Sequence, residues 1–158
     1  MTNKHRRHIL VLPEDDANRQ IANGFLNNLD TRDIQVLKIA NGWKKAVDQL
    51  TDDHAPRMRQ YPDRMIVLLI DFDACKDRLS YVRGKIPQDL QDRVFVLGSW
   101  TAPEELKRDM RKDLEKIGES LAKDCSENTD DAWGHALLKH NKAELERMRL
   151  FVKPFLFI

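Results

Sequence analysis

Residues 66–77 read IVLLIDFDACKD: five apolar residues in a row, then two aspartates, Asp71 and Asp73, with Phe72 between them. A strand wetted on one face alternates apolar with polar residues, whereas a strand covered on both faces is apolar throughout. The run therefore predicts a strand at the centre of a sheet packed between helices. A buried strand has no use for carboxylates, so Asp71 and Asp73 mark its exit and call for a role of their own.

Working outward, runs of the same kind recur as HILVL (8–12), IQVLKI (34–39), RMIVLLI (64–70), RVFVLG (93–98) and the terminal LFVKPFLFI (150–158). Stretches of helical period separate them. Ile21, Phe25 and Leu29, four apart, give a helix from Asp15 or Asp16 to Leu29 its buried stripe. A second helix includes residues 42–50, and a short third lies over 79–83. A fourth opens at TAPE, where Thr101 and Glu104 form a capping box with Pro103 in the first turn, and it kinks near Gly118 on its way to Lys123. After the loop CSENTDD, a last helix carries Trp133, Leu137, Leu145 and Met148 into the final strand. Strands alternating with helices in this way build a parallel sheet. The expectation is one α/β domain over residues 1–158, doubly wound, with about five mostly parallel strands, helices on both faces and a flexible basic segment at 1–7.

Composition narrows the function. A chain of 158 residues has the size of one ordinary domain and can bury a core without disulfide or metal staples. Its formal net charge is only +1, so contact with a polyanion must come from a local patch, and KHRRH (4–8) is the obvious one. Cys75 and Cys125 are far apart and form no CxxC pair, which argues for free thiols and a reducing compartment. The apolar run ILVL before Pro13 is too short for a signal core or a membrane span, so a cytoplasmic protein is expected. Neither a dinucleotide fingerprint, nor a phosphate-binding loop of the GxxxxGK type, nor a GxSxG nucleophile turn occurs. His135 and His140 are five apart and splay around a helix, so they read as packing residues, as do Trp43, Trp100 and Trp133.

In a doubly wound sheet, reactive groups gather beyond the carboxyl ends of the strands. The first strand leaves Glu14, Asp15 and Asp16 there, and the third leaves Asp71 and Asp73. Neighbouring strands lie about 5 Å apart, and side chains at i and i+2 of an extended segment point the same way. Carboxylates so placed repel by about 4 kcal/mol per pair at 4 Å with an effective dielectric near 20. A protonated pair, arginine partners or a divalent cation each relieves this. Oxygen ligands without His or Cys suit Mg2+ or Mn2+. The structural alternative is that Asp15 or Asp16 caps the first helix and Asp73 the third.

An acidic residue ending the first strand, Glu14 in HILVLPED, and a hydrophobic strand ending in Asp71-Phe72-Asp73 together resemble the topoisomerase-primase (Toprim) domain, over residues 9–97. The resemblance implies magnesium-dependent phosphodiester chemistry on nucleic acid. Asp71 and Asp73 would ligate the metal, Asp16 would join the shell, and Glu14 would be a further ligand or a general base or acid. Glu104 is a further acid near the same edge, although its capping-box position favours a structural role.

HILVLPEDDANRQIANGFL is also similar to the opening of response-regulator receiver domains. That likeness implies Asp15 and Asp16 as a magnesium-binding pair, Asp71 as phosphoacceptor, Ser99 or Thr101 after the fourth strand, and Lys153-Pro154 after the fifth. Against it, Lys153 lies about fifty residues beyond Thr101 and no closing helix follows. A third reading is an interaction module that keeps the acids without turnover, its FLFI terminus serving as central strand or as a docking edge for a partner or a second copy.

Overall fold

The computed structural model describes Thr2 and residues 5–157. Four strands form one sheet: β1 (His8–Pro13), β2 (Ile34–Val36), β3 (Arg64–Leu69) and β4 (Val94–Leu97). Their order is β2-β1-β3-β4 and every pairing is parallel. Leu10 stands opposite Ile66 and Ile66 opposite Val94, so the most apolar segments share the centre.

The helices are α1 (Asp16–Leu26), α2 (Trp43–Gln49), α3 (Ala55–Gln60), α4 (Arg78–Lys85), α5 (Pro103–Met110), α6 (Leu114–Glu127), α7 (Lys142–Phe151) and α8 (Lys153–Leu156). They divide between the two faces as the strand alternation dictates. Ile9, Val11, Met65, Val67, Phe95 and Leu97 look toward α1, α6 and α7, meeting Ile21, Ile117, Leu121, Leu145 and Met148. Leu10, Leu12, Ile66, Leu68, Val94 and Val96 look the other way, onto Ala46, Val47, Met58 and Val82 of α2, α3 and α4. The α/β class expected from sequence is therefore the one observed, in a single domain.

Several boundaries move. Strand β2 ends at Val36, though Leu37 N and Ala40 N still donate to Val11 O and Pro13 O at 2.8 and 2.9 Å. Helix α2 runs on through a π turn (Leu50–His54) into α3, whose second residue is Pro56. No capping box forms at Thr101: Ala102 is the N-cap of α5, and the Thr101 hydroxyl donates to Glu105 instead. The predicted long fourth helix is two helices, broken at Arg111 in a left-handed conformation (φ 53°) and restarted by Asp113, whose side chain accepts from Lys116 N. Gly118 is no kink. It lies where α6 crosses α1.

The fifth strand is the largest structural expectation overturned. Residues 150–156 are helical or turn, with α7 followed closely by α8; Ile158 lies outside the described residues. Leu145, Met148, Val152 and Leu156 fall at intervals of three and four and are all buried, so the terminus packs as a helical face. The free edge of β4 is then covered by side chains. Glu144 accepts from Val96 N at 3.1 Å, Asn141 Oδ1 accepts from Gly98 N at 3.1 Å, and Gly98 O receives Asn141 Nδ2 at 2.9 Å and His140 Nε2 at 2.8 Å. Arg147 donates to Val94 O at 3.2 Å. One helical row thus satisfies groups that another strand would have taken.

Candidate metal centre

The carboxyl edge of the sheet is assembled from the ends of β1 and β3. Pro13 pairs with Leu69, so Glu14 leaves β1 level with the last residues of β3. Its main chain is fixed on both sides: Glu14 N donates to Leu69 O at 2.9 Å, and Glu14 O receives Asn41 N at 2.8 Å and Gly42 N at 3.2 Å. Its side chain crosses to β3, where Oε2 accepts from Asp71 N at 2.6 Å.

Asp15 is the N-cap of α1. Its extended backbone and its Oδ1, which accepts from Asn18 N at 3.0 Å, start the helix. The Asn18 amide Nδ2 then bridges two carboxylates, donating to Asp15 Oδ1 and Asp71 Oδ1, both at 3.0 Å. Glu14, Asp15 and Asp71 each contribute a ligand oxygen to a set lying within 4.8 Å of one another. Among the described residues no basic side chain forms an ion pair with any of the three, so amide N–H groups are their partners.

Burial, and then the neighbouring acids, push the Asp71 carboxyl up to about 7, against the opposing pull of the Asn18 hydrogen bond. Glu14 is raised as well, chiefly by burial, with the Asp71 N–H working the other way. Low dielectric and like charge both disfavour ionisation here.

Of the acids expected from sequence, Glu14 and Asp71 come together and Asp16 and Asp73 do not join them. Asp16 is exposed in the first turn of α1, held by Arg19 and Gln20, and its carboxyl sits below the ordinary range because of the Arg19 hydrogen bond. The alternation that would aim Asp73 beside Asp71 requires extended backbone, but Asp73 and Ala74 both have positive φ, 49° and 53°. The side chain of Asp73 turns out to Arg78, which also donates to Asp71 O at 2.9 Å. Glu104 lies on α5 and makes none of these contacts.

The residue missed from sequence is Asn18. Its signal was readable: it stands three positions after a capping aspartate, where an N3 side chain reaches back to the cap. It is fully buried, and Oδ1 has no hydrogen-bond partner. The Phe72 ring turns into the packing, as expected, against Trp100 and His140 at centroid distances of 6.3 and 4.8 Å. Burial lowers the pKa of His140, and its Nε2 is donated to Gly98 O, so it is a packing histidine. Ser99 is buried with its hydroxyl unpartnered, and Lys153 reaches Asn128, away from the acids. In the basic segment 4–8, Arg6 pairs with Asp33 and His8 is a buried residue of β1, while Lys4 lies outside the described residues. Trp43, read from sequence as a packing residue, is half-buried at the start of α2.

No protein-family model matches the chain, and comparison with curated proteins and with solved structures returns no match. What the fold and site define is a class: a doubly wound α/β protein with three converging carboxylates at the carboxyl edge of a parallel sheet. Among the described residues no helix is long and apolar enough to cross a membrane.

Proposed function

We propose that the chain binds Mg2+ or Mn2+ at Glu14, Asp15 and Asp71 and uses it in phosphodiester hydrolysis on nucleic acid. The observation carrying this reading is the convergence of three carboxylates from two adjacent strand ends, with which no arginine or lysine among the described residues forms an ion pair. The donor set fits: hard oxygens only, with neither His nor Cys, is the choice of a hard cation. An ion held there by Glu14, Asp15 and Asp71 would supply Lewis acidity toward a phosphoryl oxygen and lower the pKa of water.

The remaining chemistry belongs to the protein. Glu14 is tied at Oε2 to the Asp71 amide, which orients both acids from rigid strand ends. The Asp71 carboxyl, pushed up to about 7, is suited to hold or release a proton near neutral pH, as a general base or acid requires, and Glu14 is raised in the same direction by burial. Arg78 is held by Asp71 O and by Asp73, which gives Asp73 the task of aiming a guanidinium beside the site for a phosphate. Asn18 spaces Asp15 from Asp71 with its amide.

A receiver-like phosphoacceptor is the second reading, favoured by one observation: the third carboxylate is Asp15 and not Asp73. The lysine expected for it from sequence, Lys153, lies on α8 and meets Asn128. Titration calorimetry of Mg2+ and Mn2+ into wild type and Asp71→Asn tests both. The proposal expects heat in the wild type and its loss in the variant, with Mn2+-dependent oligonucleotide cleavage abolished by Asp71→Asn and by Glu14→Gln. An acid-labile phosphate formed from acetyl phosphate, lost in Asp71→Asn, would select the second reading. Ion binding with neither reaction would leave an interaction module, and no heat at all would remove the metal centre.

A further inference from the structure

Beside the acids, α2 and α4 carry a surface of a different character. Trp43 and Tyr81 stand edge to face with ring centroids 5.6 Å apart, and Tyr81 is 49% exposed, one of few large apolar side chains left in water. Each ring presents a face to a cation: Lys44 Nζ lies 5.6 Å from the Trp43 centroid and Lys85 Nζ lies 5.3 Å from that of Tyr81. Both lysines are exposed. Helix α4 has no acidic residue from Arg78 to Lys85, and the groove between the two rings is lined by a single carboxylate, Asp48. The groove is joined to the metal centre through Arg78. Its guanidinium lies 4.3 Å from the Trp43 centroid while it donates to Asp71 O.

We infer that this surface binds single-stranded nucleic acid and leads the strand to the carboxylates. A base stacks on the exposed face of Tyr81, and the phosphates on either side take Lys44 and Lys85, which leave the rings as the base arrives. Aromatic faces interleaved with basic side chains are what an unpaired strand needs, because every base offers a π-face and every linkage a charge. A duplex keeps its bases stacked on one another and gains only the charge. An acidic peptide has no aromatic plane to offer. The inference rests on the reading above for the reaction and on its own residues for the binding.

The test is fluorescence anisotropy of labelled oligothymidylate and oligouridylate with the full chain in EDTA, where neither the ion nor cleavage contributes. Binding is expected for the single strands and weaker for a matched duplex or a polyglutamate peptide. Tyr81→Ala should weaken single-strand binding about ten-fold, with Tyr81→Phe restoring it. Replacing Lys44 and Lys85 together by alanine should lower the slope of log affinity against log salt by about two. Equal binding by wild type and Tyr81→Ala, or equal binding of the duplex or the peptide, would overturn the inference. Magnesium heats of Tyr81→Ala should match the wild type, so failure of this surface and failure of the metal centre are read separately.

Discussion

At the level of single residues, Asp71 ties stability to pH. Its carboxyl titrates at an ordinary 3.8 when free and at about 7 in the fold. Between these values the folded chain holds a proton that the unfolded chain has released, so stability falls as pH rises from about 4 to about 7. Glu14 is displaced in the same direction and adds to the slope. In EDTA, the Asp71 contribution to Tm should therefore decline across that window, against the opposite slope from His8, His54 and His140, whose pKa values burial lowers. The Asp71→Asn variant should flatten the decline and be more stable at pH 7.5 by on the order of 1 kcal/mol once screening at a partly open rim is allowed for. That is roughly 2–4 °C in Tm for a domain of this size. Magnesium should raise the wild-type Tm at pH 7.5 and do little at pH 5, where Asp71 carries a proton. Parallel pH profiles for the two proteins would show that Asp71 is not under electrostatic stress.

At the level of elements, α1 and α6 cross backbone to backbone. A Cβ on Gly24 would fall 1.9 Å from Glu115 O, and one on Gly118 would fall 2.0 Å from Ile21 O and 2.7 Å from Phe25 N. The two glycines let backbone meet backbone, so alanine, which gains about 1 kcal/mol in a free helix, must here push the helices apart. Gly24→Ala and Gly118→Ala should each cost about 1–3 kcal/mol in urea unfolding, and the double variant less than their sum, because one displacement relieves both clashes. A stabilised variant would mean that the crossing yields freely. Strands β1, β3 and β4 were legible because runs apolar on both faces admit few alternatives. LFVKPFLFI misled for the converse reason: a short apolar run fits a buried helix as well as a strand. What separates them is spacing, and Leu145, Met148, Val152 and Leu156 continue a helical face across the segment. Glu14 and Asp71 were legible because strand ends fix where they emerge. Asp73 was misplaced because nothing in DFDACKD announced two consecutive left-handed residues.

At the level of the whole molecule, replacing a fifth strand by α7 changes how the sheet ends. An uncovered edge strand pairs with other chains, and the apolar C-terminus read as a strand made a dimer through that edge reasonable. The observed edge of β4 is closed by Asn141, Glu144 and Arg147, three residues apart along the chain and so on one side of the helix, with Glu144 also 3.6 Å from Arg83. Removing Glu144 leaves Val96 N buried without an acceptor and two guanidiniums without their shared carboxylate. Glu144→Ala should cost about 1–3 kcal/mol. If α7 guards the edge and does more than fill space, the Glu144→Ala/Arg147→Ala variant should also self-associate. Light scattering after gel filtration should then give a mass that rises with concentration in the variant and stays flat in the wild type. A variant that loses stability without associating would show that the apolar face of α7, through Leu145 and Met148, keeps the edge covered by itself.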